Sequence, residues 1–342
     1  MGDLNSKKIG NLDSPKLPYD YLTREVGTVP LDQNRPPFQW VSEVAYKNIH
    51  RIVARGYDTT ELVEEGYGLV DILFVDFQAR IPTIEEEQML NYIMILSLED
   101  GLSMPAALAR IVAKSKTHLT QACGASILAF GHAYGGYAAF GNRLSQYLER
   151  ARQEGKSLGE MATELVRAHH RDDALGVSDL MLKDPAAQRL LARAEKLGVT
   201  GEHVAFMREI VKAAQQLSTT AVDLDMLGAT GAVMADLGFT PEATWTIIAV
   251  TRSFGAGAHF IEEVEREGFT RLGETLTAPE DYDGPPDRPV PPLAERQQHA
   301  VPAHAESLAQ WKALFEERKK LPASGFALVE EIDDPRNPKK AH

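Results

Sequence analysis

Residues 240–267 read TPEATWTIIAVTRSFGAGAHFIEEVERE and predict a long helix that begins at Thr240-Pro241-Glu242. Within it, Arg252 lies among apolar and small residues, where an unpaired guanidinium would be costly to desolvate. Arg252 therefore needs an anion, which is either an internal carboxylate or a substrate carboxylate held by two parallel hydrogen bonds. His259 follows two turns later on about the same face. Alone it would more often be a packed core histidine, and the pair is the stronger functional signal.

Further helices are predicted on the N-terminal side of this segment. The best marked helix starts after Thr83 and runs to about Leu98, because Thr83 and Glu86 have the spacing of a capping box. Residues 41–56, VSEVAYKNIHRIVARG, space their apolar side chains at helical intervals and predict a helix that stops at Gly56. Other predicted helices follow Ser103-Met104-Pro105 or cover residues 186–197 and 202–217. No alternating pattern predicts a large sheet, so the expected fold class is all-α.

Residues 121–142, QACGASILAFGHAYGGYAAFGN, are dense in alanine and glycine. A helix of such small residues can approach another backbone or a ligand closely. The segment is therefore interpreted either as a place of tight helix packing or as one wall of a site.

Composition and charge limit the function classes. The chain has 342 residues, with 36 Lys and Arg against 49 Asp and Glu, a net charge of −13 that opposes unspecific binding to nucleic acid or anionic lipid. No apolar run approaches the roughly 18–20 residues needed to cross a bilayer, and residues 1–15 lack the apolar core of a signal peptide, so a cytoplasmic protein is expected. One cysteine, Cys123, predicts no internal disulfide, and no metal site is expected.

The short motifs of P-loop nucleotide binding, serine hydrolases, zinc proteases and Rossmann folds are absent from the sequence. Polar candidates remain where helices are expected to break, and such positions often carry catalytic groups. They are Glu99-Asp100-Gly101, Gly131-His132, the run HHRDD at 169–173, Ser178-Asp179, Asp223, Asp225, Arg252 and His259. HHRDD is interpreted as a solvated turn, because adjacent helical residues point about 100° apart and rarely converge on one ion. Asp179 is interpreted either as a base or as a helix cap.

Several stretches together resemble the citrate synthase superfamily, in the branch of citryl-CoA lyases and the lyase domain of ATP citrate lyase. They are VTRSFGAGAHFIEEVERE, DPAAQRLLARAEKLGVTGEHVAFMREI, GATGAVMADLGFTPE and YDGPPDRPVPPLAER, and the resemblance covers about residues 60–295. It implies an almost wholly helical fold, with a large domain and a small one that closes over the acyl-CoA, and a dimer as the active unit. The expected organisation is an N-terminal arm at 1–40, a core at 41–295 with the small domain at about 175–250, and a C-terminal helix and tail at 296–342.

The resemblance also implies roles for individual residues. Arg252 falls on the family's carboxylate-binding arginine, and His259 falls on a histidine later in the same helix. Gly135 and Gly136 fall on a Gly-Gly pair in a wall of the site, after Tyr134, which stands where citrate synthases place a histidine and lyases often an aromatic residue. These five residues are the predicted substrate-binding set.

The predicted catalytic residues depart from the family pattern. Asp100 stands where the family has a substrate-contacting histidine, and Asp179 stands in place of a second histidine. The family's catalytic aspartate aligns with Leu227 without a gap, and a small insertion brings Asp223 or Asp225 to that position. His132 is an extra imidazole beside the Gly-Gly pair that could compensate. Carboxylates in place of imidazoles change which protons can move and add negative charge, so a standard citrate synthase is not expected.

The leading hypothesis is an enzyme of altered specificity that makes or breaks a carbon–carbon bond, next to a CoA thioester, on a substrate bearing a carboxylate. One alternative is a hydrolase or C–C lyase that acts on a cyclic ketone or diketone without CoA. A second is a ligand-binding or regulatory homologue without catalysis. No permanently bound cofactor is expected, CoA thioesters are candidate substrates, and the expected assembly is a homodimer or a higher homo-oligomer.

Overall fold

The computed structural model describes residues 42–47, 50–131, 136–169, 174–179 and 185–267, with short pieces at 289–290, 292–298, 309–310, 312–313 and 316. The chain divides into two units, Met1–Leu272 and Gly273–His342. In the second unit the described part includes a 3₁₀ helix at Leu293–Gln298. The candidate site residues all belong to the first unit.

Helices make up most of the described first unit, which confirms the all-α prediction. They are α1 Thr59–Glu64, α2 Leu69–Gln78, α3 Ile84–Leu98, α4 Met104–Ala113, α5 Leu119–Ala129, α6 Tyr137–Glu154, α7 Leu158–Ala168, α8 Pro185–Leu197, α9 Glu202–Leu217, α10 Met226–Asp236 and α11 Pro241–Glu262. A π-helical turn at Glu263–Glu267 continues α11. The strands are short: β1 Ala45–Lys47, β2 Ile52–Ala54, β3 Tyr57–Asp58, β4 Val177–Asp179 and β5 Val222–Leu224.

The helix predicted over residues 41–56 is wrong. The chain instead forms a three-stranded antiparallel sheet, in which Tyr46 of β1 pairs with Val53 of β2, and Ala54 of β2 pairs with Tyr57 of β3. Arg55 and Gly56, which link β2 to β3, have φ values of 47° and 91°. Positive φ at both central positions is typical of a two-residue hairpin turn of type I′, so this turn joins strands where helical spacing suggested one continuous helix.

Local capping fixes where several helices start. Thr83 Oγ1 accepts a hydrogen bond from the Glu86 N–H at 3.2 Å, and Glu86 Oε2 accepts one from the Thr83 N–H at 2.8 Å, which confirms the predicted capping box. At the start of α11, Thr240 Oγ1 accepts from the Ala243 N–H at 3.1 Å, and Pro241 occupies the first turn. These caps explain why the sequence predicts both helix starts correctly.

Asp236 joins the end of α10 to the start of α9. Its carboxylate accepts hydrogen bonds from the backbone N–H groups of Gly201, His203 and Val204, and its Oδ1 lies 2.9 Å from Nδ1 of His203. Burial would raise the pKa of the Asp236 carboxyl, but these hydrogen bonds outweigh it and hold the pKa below its usual value. The charged form of this nearly buried carboxylate therefore stabilises the fold.

Helix α11 lies at the centre of the packing and contacts α3, α4, α5 and α6. Its Ile247 and Ile248 belong to the main buried cluster, which also contains Phe74 and Phe206. A second buried cluster joins α4, α5 and α11 through Ala109, Ala113, Ala122, Ala256 and Phe260. The alanines thus allow tight packing of α5, as one of the two interpretations of residues 121–142 expects. Among the described residues, no helix is long and apolar enough to cross a membrane.

Candidate active site

A cavity of about 500 Å³ opens between the end of α3, the start of α6, the start of α10 and the middle of α11. Its apolar and small lining residues are Leu96, Phe130, Gly136, Ala174, Ala186, Met226 and Leu227. Its polar lining residues are Ser97, Glu99, Asp100, Tyr137, Asp225 and Arg252. The cavity therefore brings together Asp100, Asp225, Gly136 and Arg252 of the predicted site.

Arg252 reaches the cavity from α11 with a side chain that is 13% exposed. Its Nε donates a hydrogen bond to the Ser97 carbonyl oxygen at 2.5 Å. Its Nη1 lies 2.6 Å from Asp100 Oδ2, an ion pair without hydrogen-bond geometry at the buried Nη1. Arg252 thus has the internal carboxylate partner that was one of the two alternatives. Asp100 is half-exposed, which leaves its carboxylate accessible from the cavity.

Gly255 allows the end of α3 to lie directly against α11. A Cβ at this position would lie 2.2 Å from the Leu98 carbonyl oxygen and 2.6 Å from Glu99 Oε1. Real Cβ atoms do not approach backbone so closely, and the small residue is therefore required by the packing. This contact places Glu99 and Asp100 at the cavity wall beside Arg252.

His259 lies outside the lining of the cavity. Its Nε2 is 3.4 Å from Glu99 Oε2, and its Nδ1 is 3.8 Å from Glu262 Oε2. Glu262 in turn pairs with Arg110 at 2.6 Å. Among the described residues, His259 is therefore linked to the cavity lining through Glu99, and its predicted contact with substrate stays a prediction.

Asp225 caps the start of α10. Its Oδ1 accepts a hydrogen bond from the Gly228 N–H at 2.8 Å, and its own N–H donates to the Gly176 carbonyl oxygen at 3.2 Å. A Cβ on Gly228 would lie 2.2 Å from that same carbonyl oxygen, so the segment before β4 packs directly on the helix start. The cap and the close approach together fix the Asp225 carboxylate at the cavity wall.

Asp223 has a different environment from Asp225. Its Oδ1 accepts hydrogen bonds from Gln188 Nε2 at 3.2 Å and from the Leu224 N–H at 2.8 Å. It lies in β5, opposite Ser178 of β4, and does not line the cavity. Of the two aspartates that the sequence offered as alternatives, the cavity therefore includes Asp225.

Tyr137 lines the cavity although it was not predicted as a site residue, and so does Glu99, a polar candidate to which the sequence assigned no role. Burial raises the pKa of Tyr137 to about 12, with Asp225 and Asp100 raising it and Arg252 and Thr230 opposing them. The phenol is therefore protonated at neutral pH and can donate a hydrogen bond. The sequence signal for Tyr137 was its position directly after Gly135-Gly136, and the signal for Glu99 was its position directly before Asp100.

Other predicted residues fall outside what the structure describes. His132, Tyr134 and Gly135 lie outside the described residues, and so does the side chain of Asp179. The backbone of Asp179 pairs with Val222 at the end of β4. The predicted roles of these four residues stay predictions.

The described lining has an acidic charge balance. Glu99, Asp100 and Asp225 contribute three carboxylates, and Arg252 contributes the one cation among the described lining residues. Within the described part of the chain, no group of three or more His, Cys, Asp or Glu residues is arranged to hold a metal ion. The described chemistry of the cavity is thus that of carboxylates, a guanidinium and a phenol.

Comparisons with known proteins show which family the chain belongs to. The profile described as "Citrate synthase, C-terminal domain" matches residues 72–272. The fold is similar to that of citryl-CoA lyase from Hydrogenobacter thermophilus, with a TM-score of 0.64 and 22% identity, over 76% of this chain and 99% of that one. It is also similar to ATP citrate lyase of Methanosaeta concilii in complex with (3S)-citryl-CoA, with a TM-score of 0.59 and 16% identity, over 80% of this chain and 47% of that one.

A third similar fold is citrate synthase from Thermoplasma acidophilum in a ternary complex with carboxymethyl coenzyme A and oxaloacetate, with a TM-score of 0.53 and 21% identity, over 67% of this chain and 60% of that one. A comparison with curated protein sequences finds no match. The profile match covers more than half of the chain, and the similar folds agree with it. The chain therefore belongs to the citrate synthase family.

Proposed function

We propose that the protein is an enzyme of altered specificity that makes or breaks a carbon–carbon bond next to a CoA thioester, on a substrate that carries a carboxylate. The observation that carries this proposal is the cavity in which Arg252, Asp225 and Tyr137 face the same space. These groups supply an anion anchor, a carboxylate base and a protonated hydrogen-bond donor. Membership of the citrate synthase family supports the reaction class.

The CoA thioester is inferred from the relatives. Two of the proteins with a similar fold are a citryl-CoA lyase and an ATP citrate lyase bound to (3S)-citryl-CoA, and a third binds carboxymethyl coenzyme A with oxaloacetate. We propose that this chain likewise uses a CoA thioester, as a substrate and not as a permanently bound cofactor. The proposal includes a homodimer or higher homo-oligomer and a cytoplasmic setting.

The residues would divide the work as follows. Arg252 would anchor a substrate carboxylate, because a guanidinium in a largely buried wall interacts strongly with an anion. Asp225 would take or return the proton at the carbon next to the thioester carbonyl, since its cap on α10 fixes its position. Tyr137 would donate a hydrogen bond to the oxygen on which negative charge develops. Asp179 stays the alternative to Asp225 as the base, and His132 would polarise or protonate the carbonyl or hydroxyl oxygen.

In the direction of bond formation, Asp225 would remove the α-proton and leave an enolate. The enolate carbon would then form the new bond to the carbonyl carbon of the second substrate as the C=O π bond breaks, and the resulting alkoxide would take up the proton that Asp225 removed, passed on through Tyr137. Bond cleavage is the same sequence in reverse. Asp225 is thereby regenerated as a carboxylate, and because the two substrates exchange only a proton and a carbon–carbon bond, no oxidant or reductant is needed.

The test is exchange of the α-protons of acetyl-CoA in D₂O, followed by mass spectrometry, together with cleavage of citryl-CoA. We expect the wild type to catalyse exchange or cleavage, and Asp225→Asn to lose about 10²- to 10⁴-fold in rate, the usual contribution of a general base. Asparagine caps helices about as well as aspartate, so the melting temperature should change little. Asp223→Asn makes the same chemical change outside the cavity, and a loss confined to that variant would move the base to Asp223.

A thermal shift series with CoA, acetyl-CoA, citrate and oxaloacetate separates the alternatives, because a ligand bound by the native state raises its stability. Silence towards CoA and acetyl-CoA, with no α-proton exchange, would refute the proposal. Turnover of a cyclic ketone or diketone would then support the CoA-independent hydrolase or lyase. Binding without turnover of any of these compounds would support a ligand-binding homologue.

A further inference from the structure

The polar contacts of Arg252 limit how many carboxylates the substrate can carry. Nε of this side chain is engaged by the Ser97 carbonyl oxygen, and Nη1 lies 2.6 Å from Asp100 Oδ2. Among the described residues, no hydrogen bond or ion pair reaches Nη2. Arg252 is the one cation among the described lining residues, and it already pairs with Asp100. Its Nη2 therefore remains for a ligand.

We propose that Asp100 occupies the position of one substrate carboxylate, so that the carbonyl substrate is a 2-oxo acid with a single carboxylate and an alkyl side group. This inference rests on the proposed function, in which Arg252 anchors a carboxylate. The single carboxylate would bind at Nη2, beside the Arg252–Asp100 pair. A dicarboxylate would have to displace Asp100 or leave its second carboxylate without a cation among the described lining groups.

Backbone packing at the end of α3 sets the position of Asp100. The preceding residues, Leu98 and Glu99, lie directly against Gly255 of α11, where a Cβ would be 2.2 Å from the Leu98 carbonyl oxygen. Asp100 is therefore held at the end of α3 beside Arg252. Displacing its carboxylate would break an ion pair that the packing of two helices forms.

The other walls favour an alkyl group over a second carboxylate. Leu96, Phe130, Met226 and Leu227 supply apolar surface to the cavity. The remaining charged groups of the described lining, Glu99 and Asp225, are acidic and would repel an additional anion. A methyl or ethyl group would instead gain from leaving water for this surface.

The experiment uses 2-oxobutyrate and oxaloacetate, which have four carbons each and differ by a methyl group in place of a carboxylate. With acetyl-CoA as the second substrate, product formation is followed by mass spectrometry, and the affinity of each acid is measured by titration calorimetry. We expect the wild type to prefer 2-oxobutyrate at least 10-fold in both measurements. In Asp100→Asn, which frees the Arg252 guanidinium, the preference should fall at least 10-fold towards oxaloacetate.

Glu64→Gln removes the same charge from an exposed position on α1 and should leave the preference unchanged. Wild-type preference for oxaloacetate, or an unchanged preference in Asp100→Asn, would overturn the inference while the proposed reaction stands. A third outcome is that the wild type binds 2-oxobutyrate more tightly than oxaloacetate, with a preference that falls in Asp100→Asn, and yet exchanges no α-protons of acetyl-CoA. That result would support the charge assignment and refute the proposed reaction. The two failures are thus distinguishable.

Discussion

Gly255→Ala is expected to destabilise the protein and to disturb the cavity. The new Cβ would lie 2.2 Å from the Leu98 carbonyl oxygen and 2.6 Å from Glu99 Oε1. The Glu99 side chain can rotate away, but the Leu98 carbonyl belongs to the backbone at the end of α3. Relief of the overlap therefore requires the end of α3 and α11 to separate.

Two effects oppose each other in the free energy of unfolding. In a helix interior alanine is favoured over glycine by about 1 kcal/mol. Overpacking a well-packed contact costs typically about 1–3 kcal/mol, and the upper part of that range applies because the obstacle is backbone. The net expectation is a loss of about 1–2 kcal/mol. A domain of about 150–250 residues loses about 2–4 °C in melting temperature for each kcal/mol.

Gly124→Ala is the matched control. Gly124 lies within α5, and a Cβ there would meet no heavy atom within 4 Å, so only the helix propensity changes and a gain of up to about 1 kcal/mol is expected. Both variants are measured by urea unfolding followed by circular dichroism, with substrate turnover as a second measurement. A Gly255→Ala protein as stable and active as the wild type would refute the proposed close contact between α3 and α11.

Four further predictions concern other residues. Arg252→Lys is expected to keep the fold but lose most of its carboxylate affinity, because an ammonium cannot reproduce the separate Nε, Nη1 and Nη2 positions that serve the Ser97 carbonyl oxygen, Asp100 and the substrate; unchanged affinity by calorimetry would contradict this. Asp236→Asn should lower the free energy of unfolding by about 1–3 kcal/mol at neutral pH. The folded-state pKa of the Asp236 carboxyl is lowered, so its contribution to stability is present above the unfolded-state pKa and is lost as the pH falls through the folded-state pKa. The acid unfolding curves of the wild type and the variant should therefore converge. Asp179→Asn and His132→Ala are each expected to abolish turnover with little change in melting temperature; stability lost with activity kept would end both assignments. We expect an obligate dimer with interface helices drawn partly from residues 125–139, and a monomer at micromolar concentration in light scattering would contradict it.

The sequence alone determined the features that depend on neighbours along the chain. The capping box of Thr83 and Glu86 fixed the start of α3, and the apolar period of residues 202–217 fixed α9, because both signals act within one or two helical turns. The sequence also indicated the helix that contains Arg252, since an arginine among apolar residues is visible in the sequence itself. The order of the resembling stretches along the chain likewise indicated the superfamily. The three-stranded sheet at 45–58 was missed because its short strands happened to place apolar residues at helical spacing.

Only the tertiary structure decided which groups share the cavity. Arg252 contacts the Ser97 carbonyl oxygen 155 positions away in the sequence, and it pairs with Asp100, a partner that its helix does not specify. Asp225 lines the cavity and Asp223 does not, although the two are separated by one residue, because the end of β5 turns into the cap of α10 between them. Tyr137 became a candidate only when the cavity was known, since its side chain lines the same space as Arg252 and Asp225. Caps and helical periods are set by local backbone geometry, whereas charge pairing and burial depend on which helices pack together.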